Sequence, residues 1–268
     1  MNNTLAEIVA NKKTEIESRK SALEPAALRE MTVNAKGNFI TALKEPGINL
    51  ITEIKPKSPS AGDLRTDFDP AQISLVYARY AAAISVLTDS KYFGGSLDLL
   101  QKVATTVDIP VLCKDFFLDP YQVFEARKAG AEAILLIVKI LDDEQLLTLH
   151  SCAQNLKMAA VVEIQNEEEL QRAMAINAQV ILINNRDLGT FETDLGTTAR
   201  LAGMISDDVV VISASGIEAR SDIDYLQQYA HNFLIGSSLM RAPDLEAKLK
   251  ELKGSSAKVT AGDSTCRA

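Results

Sequence analysis

A single (β/α)8 TIM barrel with an N-terminal helical extension is the α/β fold this sequence predicts. Three observations predict it. From Ile48 onward, short apolar β-rich runs alternate with segments of helical periodicity, eight times within about 200 residues. The strand candidates are apolar without alternation, so both of their faces are covered, as in a parallel sheet. No GxGxxG follows the first run, so the open doubly wound sheet lacks its usual mark.

Within residues 1–47, Leu5, Ile8, Val9 and Ile16 stand at helical spacing among Lys, Glu and Asn. They predict an amphipathic helix, which Pro25 interrupts before a second short helix over 25–31. This segment is expected to pack on the barrel, which occupies 48–252. Strands are expected at 49–54, 83–87, 110–113, 133–138, 159–162, 180–183, 209–212 and 233–235. Helical segments between them include 70–80, 120–129, 142–156, 167–175 and 220–229. Asp69-Pro70 and Asp119-Pro120 each pair an N-cap with a proline at the first helical position. The stretch 253–268 is rich in Gly, Ser, Ala and Thr and reads as a disordered tail.

Composition narrows the function. Apolar residues are 47% of 268, enough for a sizeable core. The net charge of −8 disfavours nucleic acid and anionic membranes as partners, though not a small anionic ligand. No run approaches a membrane span, and the N-terminus lacks a basic region followed by an apolar stretch. Cys113, Cys152 and Cys266 are odd in number and have no ligand spacing, so reduced thiols in a cytoplasmic protein are expected. No metal cluster, Ser/His/Asp set or Cys/His set is visible, and His150 and His231 fall on a helix and in a polar turn.

In a barrel, chemistry comes from the C-terminal ends of the strands. The first strand candidate runs into Glu53 and Lys55, two residues apart and therefore on one side of the strand. The pair fits a carboxylate that aims an ammonium, and equally an ordinary salt bridge. Ser58-Pro59-Ser60-Ala61-Gly62 follows as a loop suited to a lid. The third strand ends in Lys114, where a buried ammonium costs several kcal/mol unless it is paired or working. Glu163 emerges from the apolar fifth strand, which predicts a raised pKa. Asn184 and Arg186 end the sixth, and Arg186 can clamp a carboxylate or brace Asp187. Ser215-Gly216 and Gly236-Ser237 follow the seventh and eighth strands, where a barrel builds a phosphate site from backbone N–H groups. Phe93 and Phe116 stand in polar loops after the second and third strands, where they can sandwich a flat ring or anchor the loops.

Together the motifs Glu-Ile-Lys-x-x-Ser-Pro-Ser, Leu-Cys-Lys-Asp-Phe, Val-Glu-Ile, Ile-Asn-Asn-Arg-Asp-Leu, Ser-Gly-Ile and Leu-Ile-Gly-Ser-Ser-Leu-Met run in order along successive strands. In them the chain resembles the indole-3-glycerol-phosphate synthase family of tryptophan biosynthesis over about residues 3–252. The resemblance implies a lyase that closes an indole ring on 1-(2-carboxyphenylamino)-1-deoxyribulose 5-phosphate, losing CO2 and water. It implies catalytic roles for Glu53, Lys55, Lys114, Glu163, Asn184 and Arg186. It implies substrate contacts from Ser58, Pro59, Phe93, Phe116, Leu135, Ser215, Gly216, Gly236 and Ser237. No cofactor and no metal is implied, the expected partner is a phosphorylated small molecule, and the expected state is a cytoplasmic monomer, in association with other tryptophan-pathway enzymes. One departure stands out: Ala214 occupies the place where the family usually has Glu, which removes a carboxylate from the neighbourhood of Lys55. It leaves open a barrel that binds a phosphate ligand with impaired catalysis. A lysine Schiff-base aldolase on the same barrel is the other alternative.

Overall fold

The computed structural model describes residues 4–30, 39–58, 62–63 and 68–254. Eight parallel strands close a barrel: β1 Asn49–Ile54, β2 Ala83–Leu87, β3 Val111–Lys114, β4 Ala133–Ile137, β5 Ala159–Ile164, β6 Val180–Asn184, β7 Val210–Ala214 and β8 Asn232–Ile235. Each pairs with its sequence neighbour, and β1 closes the ring against β8 through the register Leu50↔Phe233. This is the fold the apolar runs predict. The strands reach one or two residues beyond several of those runs. Glu163, Asn184 and Ala214 are paired strand residues, matched with Leu182, Ala214 and Asn184 respectively. Backbone pairing does not require an apolar side chain, so the ladder continues into the polar mouth.

Strand alternation separates two apolar layers. Ile51, Leu112, Leu135, Val161, Leu182, Ile212 and Leu234 fill the barrel interior. Leu50, Ile54, Cys113, Ile134, Val162 and Ile181 face outward onto the helices. Truncating one such buried aliphatic to Ala costs about 2–5 kcal/mol. Helices stand where the caps predict them: Pro70–Ala78 and Pro120–Lys128 begin on Asp69 and Asp119, whose carboxylates accept from the first free N–H groups. Arg220–Leu226 is shorter than the expected 220–229, the remainder being a turn.

At the N-terminus, α1 Thr4–Ala22 and α2 Pro25–Glu30 precede α3 Phe39–Leu43. Ile8 and Ile16 of α1 are buried, as their spacing predicts, and so is Lys12 between them. The Tyr121 hydroxyl donates to the Arg19 and Leu23 carbonyls, fastening α1 to the barrel. Lys253 closes the last helix, Leu245–Lys253, and the tail expected beyond it lies outside the described residues, together with Cys266. No helix among the described residues is long and apolar enough to cross a membrane.

Candidate active site

Period two places Ile51, Glu53 and Lys55 on the inner side of β1, with Ile51 in the core and Glu53 at the mouth. Glu53 is 3% exposed and sits between two ammonium groups. Its Oε1 lies 2.9 Å from Lys55 Nζ, and its Oε2 lies 3.5 Å from Lys114 Nζ at the end of β3. Burial pushes the Glu53 carboxyl upward, but the charges of Lys55 and Lys114 outweigh it and hold the group at about 2. Burial pulls the Lys114 ammonium down, yet Glu53 and Glu163 prevail and raise it above an ordinary lysine. Glu163 goes the other way from Glu53: burial raises it, and Lys114 and Asn184 only partly offset this. The raised carboxyl expected from the apolar β5 is therefore present. Asn184 Nδ2 donates to Glu163 Oε1 at 2.9 Å, and its Oδ1 accepts from the Arg186 backbone N–H at 3.1 Å.

Two turns complete the mouth. Ser215 and Gly216, after β7, both have left-handed backbones, φ +69° and +80°. A Cβ at Gly216 would collide with the Thr193 side chain, so the close loop approach requires glycine. After β8, a Cβ at Gly236 would collide with the Glu53 carboxylate. The bare Gly236 backbone thus makes room for the buried acid. Ser237 opens the short helix Ser237–Met240, and its hydroxyl accepts from Lys55 Nζ at 3.1 Å. Lys55 thereby spans the acid centre and the Gly-Ser turn.

Ten predicted residues line one small cavity of about 90 Å3: Glu53, Lys55, Lys114, Glu163, Asn184, Arg186, Ser215, Gly216, Gly236 and Ser237. Ala214 lines it as well and is 4% exposed, so its methyl forms part of the cavity wall. Phe93 and Phe116 stand outside this cavity but together, with ring centroids 6.1 Å apart at 37°. Leu135 is buried in the same inner apolar cluster as Phe116. The Ser58 side chain and Pro59 lie outside the described residues. A larger depression of about 820 Å3 opens at the other end of the barrel, between 43–47, 205–211 and 228–232, and holds none of the predicted residues. Among the described residues no group of His, Cys, Asp and Glu is disposed to hold a metal ion.

Several supporting residues escaped the sequence reading. Asn185 donates to Ser213 Oγ at 3.0 Å and to the Ser215 carbonyl at 3.1 Å, and its Oδ1 accepts from Thr198 Oγ1 at 2.8 Å. This buried network holds the strained Ser215 turn. Arg186 is braced not by Asp187 but by Thr193, whose Oγ1 accepts from its Nε at 3.3 Å. Gln165 Nε2 donates to the Arg186 carbonyl. Asn185 stood in view within Asn184-Asn185; Thr193 and Gln165 gave no signal, because their partners are set by loop folding.

Fold and site together define a (β/α)8 barrel with a charged centre and a Gly-Ser cradle at the C-terminal mouth. Solved barrels agree on the fold: a 3-hexulose-6-phosphate synthase superposes with TM-score 0.61 at 21% identity, covering 77% of this chain and 98% of that one. A sequence profile of indole-3-glycerol phosphate synthase matches residues 5–252. The chain belongs to the indole-3-glycerol phosphate synthase family. It is 44% identical over 252 residues to the tryptophan biosynthesis protein TrpCF of Salmonella typhi, which covers 94% of this chain and 56% of that protein. It is 42% identical over 255 residues to the indole-3-glycerol phosphate synthase of Endomicrobium trichonymphae, covering 93% of this chain and 99% of that protein. The chain thus spans about half the length of the TrpCF relatives it matches.

Proposed function

We propose that this chain is an indole-3-glycerol-phosphate synthase, which converts 1-(2-carboxyphenylamino)-1-deoxyribulose 5-phosphate to indole-3-glycerol phosphate. A ring carbon attacks the ketone carbon, and the carboxylate leaves as CO2. The new hydroxyl leaves as water. The observation that carries the reading is Glu53 held between the ammonium groups of Lys55 and Lys114 at the mouth of a barrel of this family.

Lys114 is the general acid that protonates the ketone oxygen as the ring closes. Despite its burial, Glu53 and Glu163 keep its ammonium charged until the oxygen becomes basic. Glu53 stays ionised and orients both lysines; it does not carry a proton. Glu163, its carboxyl raised by burial and gripped by Asn184, moves protons in the later steps. Lys55 serves the substrate carboxylate or the dehydration, and Arg186 positions a carboxylate by paired donors. Ser215, Gly216, Gly236 and Ser237 hold the phosphate, with Ser58 and Pro59 along the wall. Phe93, Phe116 and Leu135 surround the anthranilate ring. The substrate's own carboxylate and enamine carry the electrons, so the reading calls for no cofactor.

The same reading treats the helices before residue 48 and the barrel to residue 252 as one folding unit, which the Tyr121 bonds to α1 support. It makes the chain a cytoplasmic monomer, consistent with the free Cys113 and Cys152, that works beside other tryptophan-pathway enzymes, in keeping with its TrpCF relatives. The test is incubation of the folded protein with the carboxyphenylamino sugar phosphate while indole fluorescence is followed. Fluorescence rising with released CO2 is expected, and a folded protein without turnover defeats the reading.

A further inference from the structure

We propose that Lys12 of α1 is a positioning residue for the aromatic half of the site, tying together the two carboxylates from which Phe93 and Phe116 are hung. The inference rests on the proposed function only in treating the two rings as ligand contacts.

Lys12 is 1% exposed, an unusual place for an ammonium on a helix surface. Its Nζ lies 2.8 Å from Asp89, 2.9 Å from Asp115 and 3.0 Å from Glu15. Asp115 follows Lys114 directly, accepts from the Phe116 backbone N–H at 2.8 Å, and accepts from Thr88 Oγ1 at 2.7 Å. Asp89 caps the short helix Ser90–Phe93 by accepting from the Tyr92 N–H at 2.8 Å. The two rings, 6.1 Å apart, therefore ride on two loops whose anchoring carboxylates share one cation. A second tie from the same turn of α1 runs to the first of these loops, where Lys91 Nζ donates to Asn11 Oδ1 at 3.0 Å. Burial lowers the Lys12 pKa, but Asp115 and Asp89 override it and keep the group charged.

Without the cation, two buried carboxylates face each other unneutralised. The loops after β2 and β3 must then separate or admit water, and the ring spacing goes with them. The phosphate cradle, built from the turns after β7 and β8, shares no residue with this cluster. The inference therefore predicts a selective defect.

Two variants test it, Lys12→Met and the milder Asp89→Asn, which keeps the cap acceptor and the Lys12–Asp115 contact. Anthranilate and inorganic phosphate binding are measured by calorimetry, with near-ultraviolet circular dichroism as a check of folding. Anthranilate affinity is expected to fall about tenfold or more in Lys12→Met and less in Asp89→Asn, with phosphate affinity held within about twofold. Affinities unchanged in both variants overturn the proposal. So does a parallel fall for both ligands, which marks a merely structural role; if Lys12→Met does not fold, the Asp89→Asn ratio decides. A wild-type protein that binds no anthranilate also overturns it. Wild-type turnover is read separately: its absence sinks the proposed function and leaves the ratio test standing.

Discussion

At the residue scale, the two lysines at the strand ends differ in their company. Lys114 faces two carboxylates, Glu53 and Glu163, whereas Lys55 divides its donors between Glu53 and Ser237. Those two carboxylates raise the Lys114 pKa, as the proposed general acid requires. Lys114→Met is expected to lower kcat/KM by about 10²–10⁴-fold, the usual worth of a general acid. Phosphate affinity should fall far less than kcat/KM, because Ser215, Gly216, Gly236 and Ser237 are untouched. Steady-state kinetics with phosphate calorimetry checks this, and a large loss of phosphate binding contradicts the role. Glu163 gives a second prediction. Its raised pKa sets the acid limb of the kcat/KM profile above the ordinary carboxylate value, because the working group is the ionised form and is protonated earlier as pH falls. The limb should vanish from the residual activity of Glu163→Gln; a limb that persists unchanged belongs to another group.

At the element scale, the β8 turn is shaped around Glu53. Gly236→Ala drives a methyl into the Glu53 carboxylate. The expected cost is about 1–3 kcal/mol of stability, as for other overpacked sites. A fall in kcat of about tenfold or more is expected with it, since a displaced Glu53 misaims both lysines. Denaturant melts and kinetics on one preparation check both. An unperturbed kcat would mean that Glu53 does not orient the site. The barrel itself was legible because parallel strands covered on both faces are uninterrupted apolar runs, as in Ala133–Ile137 and residues 180–183. The site was legible in the strand-end charges, because period two fixes which side they face. Lys12 was not legible. Between Ile8 and Ile16 it reads as an ordinary surface lysine, and only folding brings Asp89 and Asp115 to it. The brace on Arg186 is hidden for the same reason: adjacency offers Asp187 as one partner, while the loop returns Thr193 to it.

At the scale of the whole molecule, a buried charged centre makes stability depend on pH. Glu53 has a folded pKa of about 2 against an ordinary 4.5, so its stabilisation is complete above 4.5 and is lost as pH falls toward 2. The stability gap between wild type and Glu53→Gln should narrow by roughly 3 kcal/mol across that window, at about 1.4 kcal/mol per pH unit. Urea melts between those limits measure it, and a gap independent of pH contradicts the ion pairing. Closure of the barrel brings together groups from β1, β3, β5 and β6 and from the turns after β7 and β8, so no part of the chain carries the site alone. A crystal structure with indole-3-glycerol phosphate bound tests the proposed site most directly. The phosphate is expected on Ser215, Gly216, Gly236 and Ser237, the indole ring by Phe93 and Phe116, and Lys114 between them. Product seated in the depression at the opposite end of the barrel, or with its phosphate away from that cradle, would contradict it.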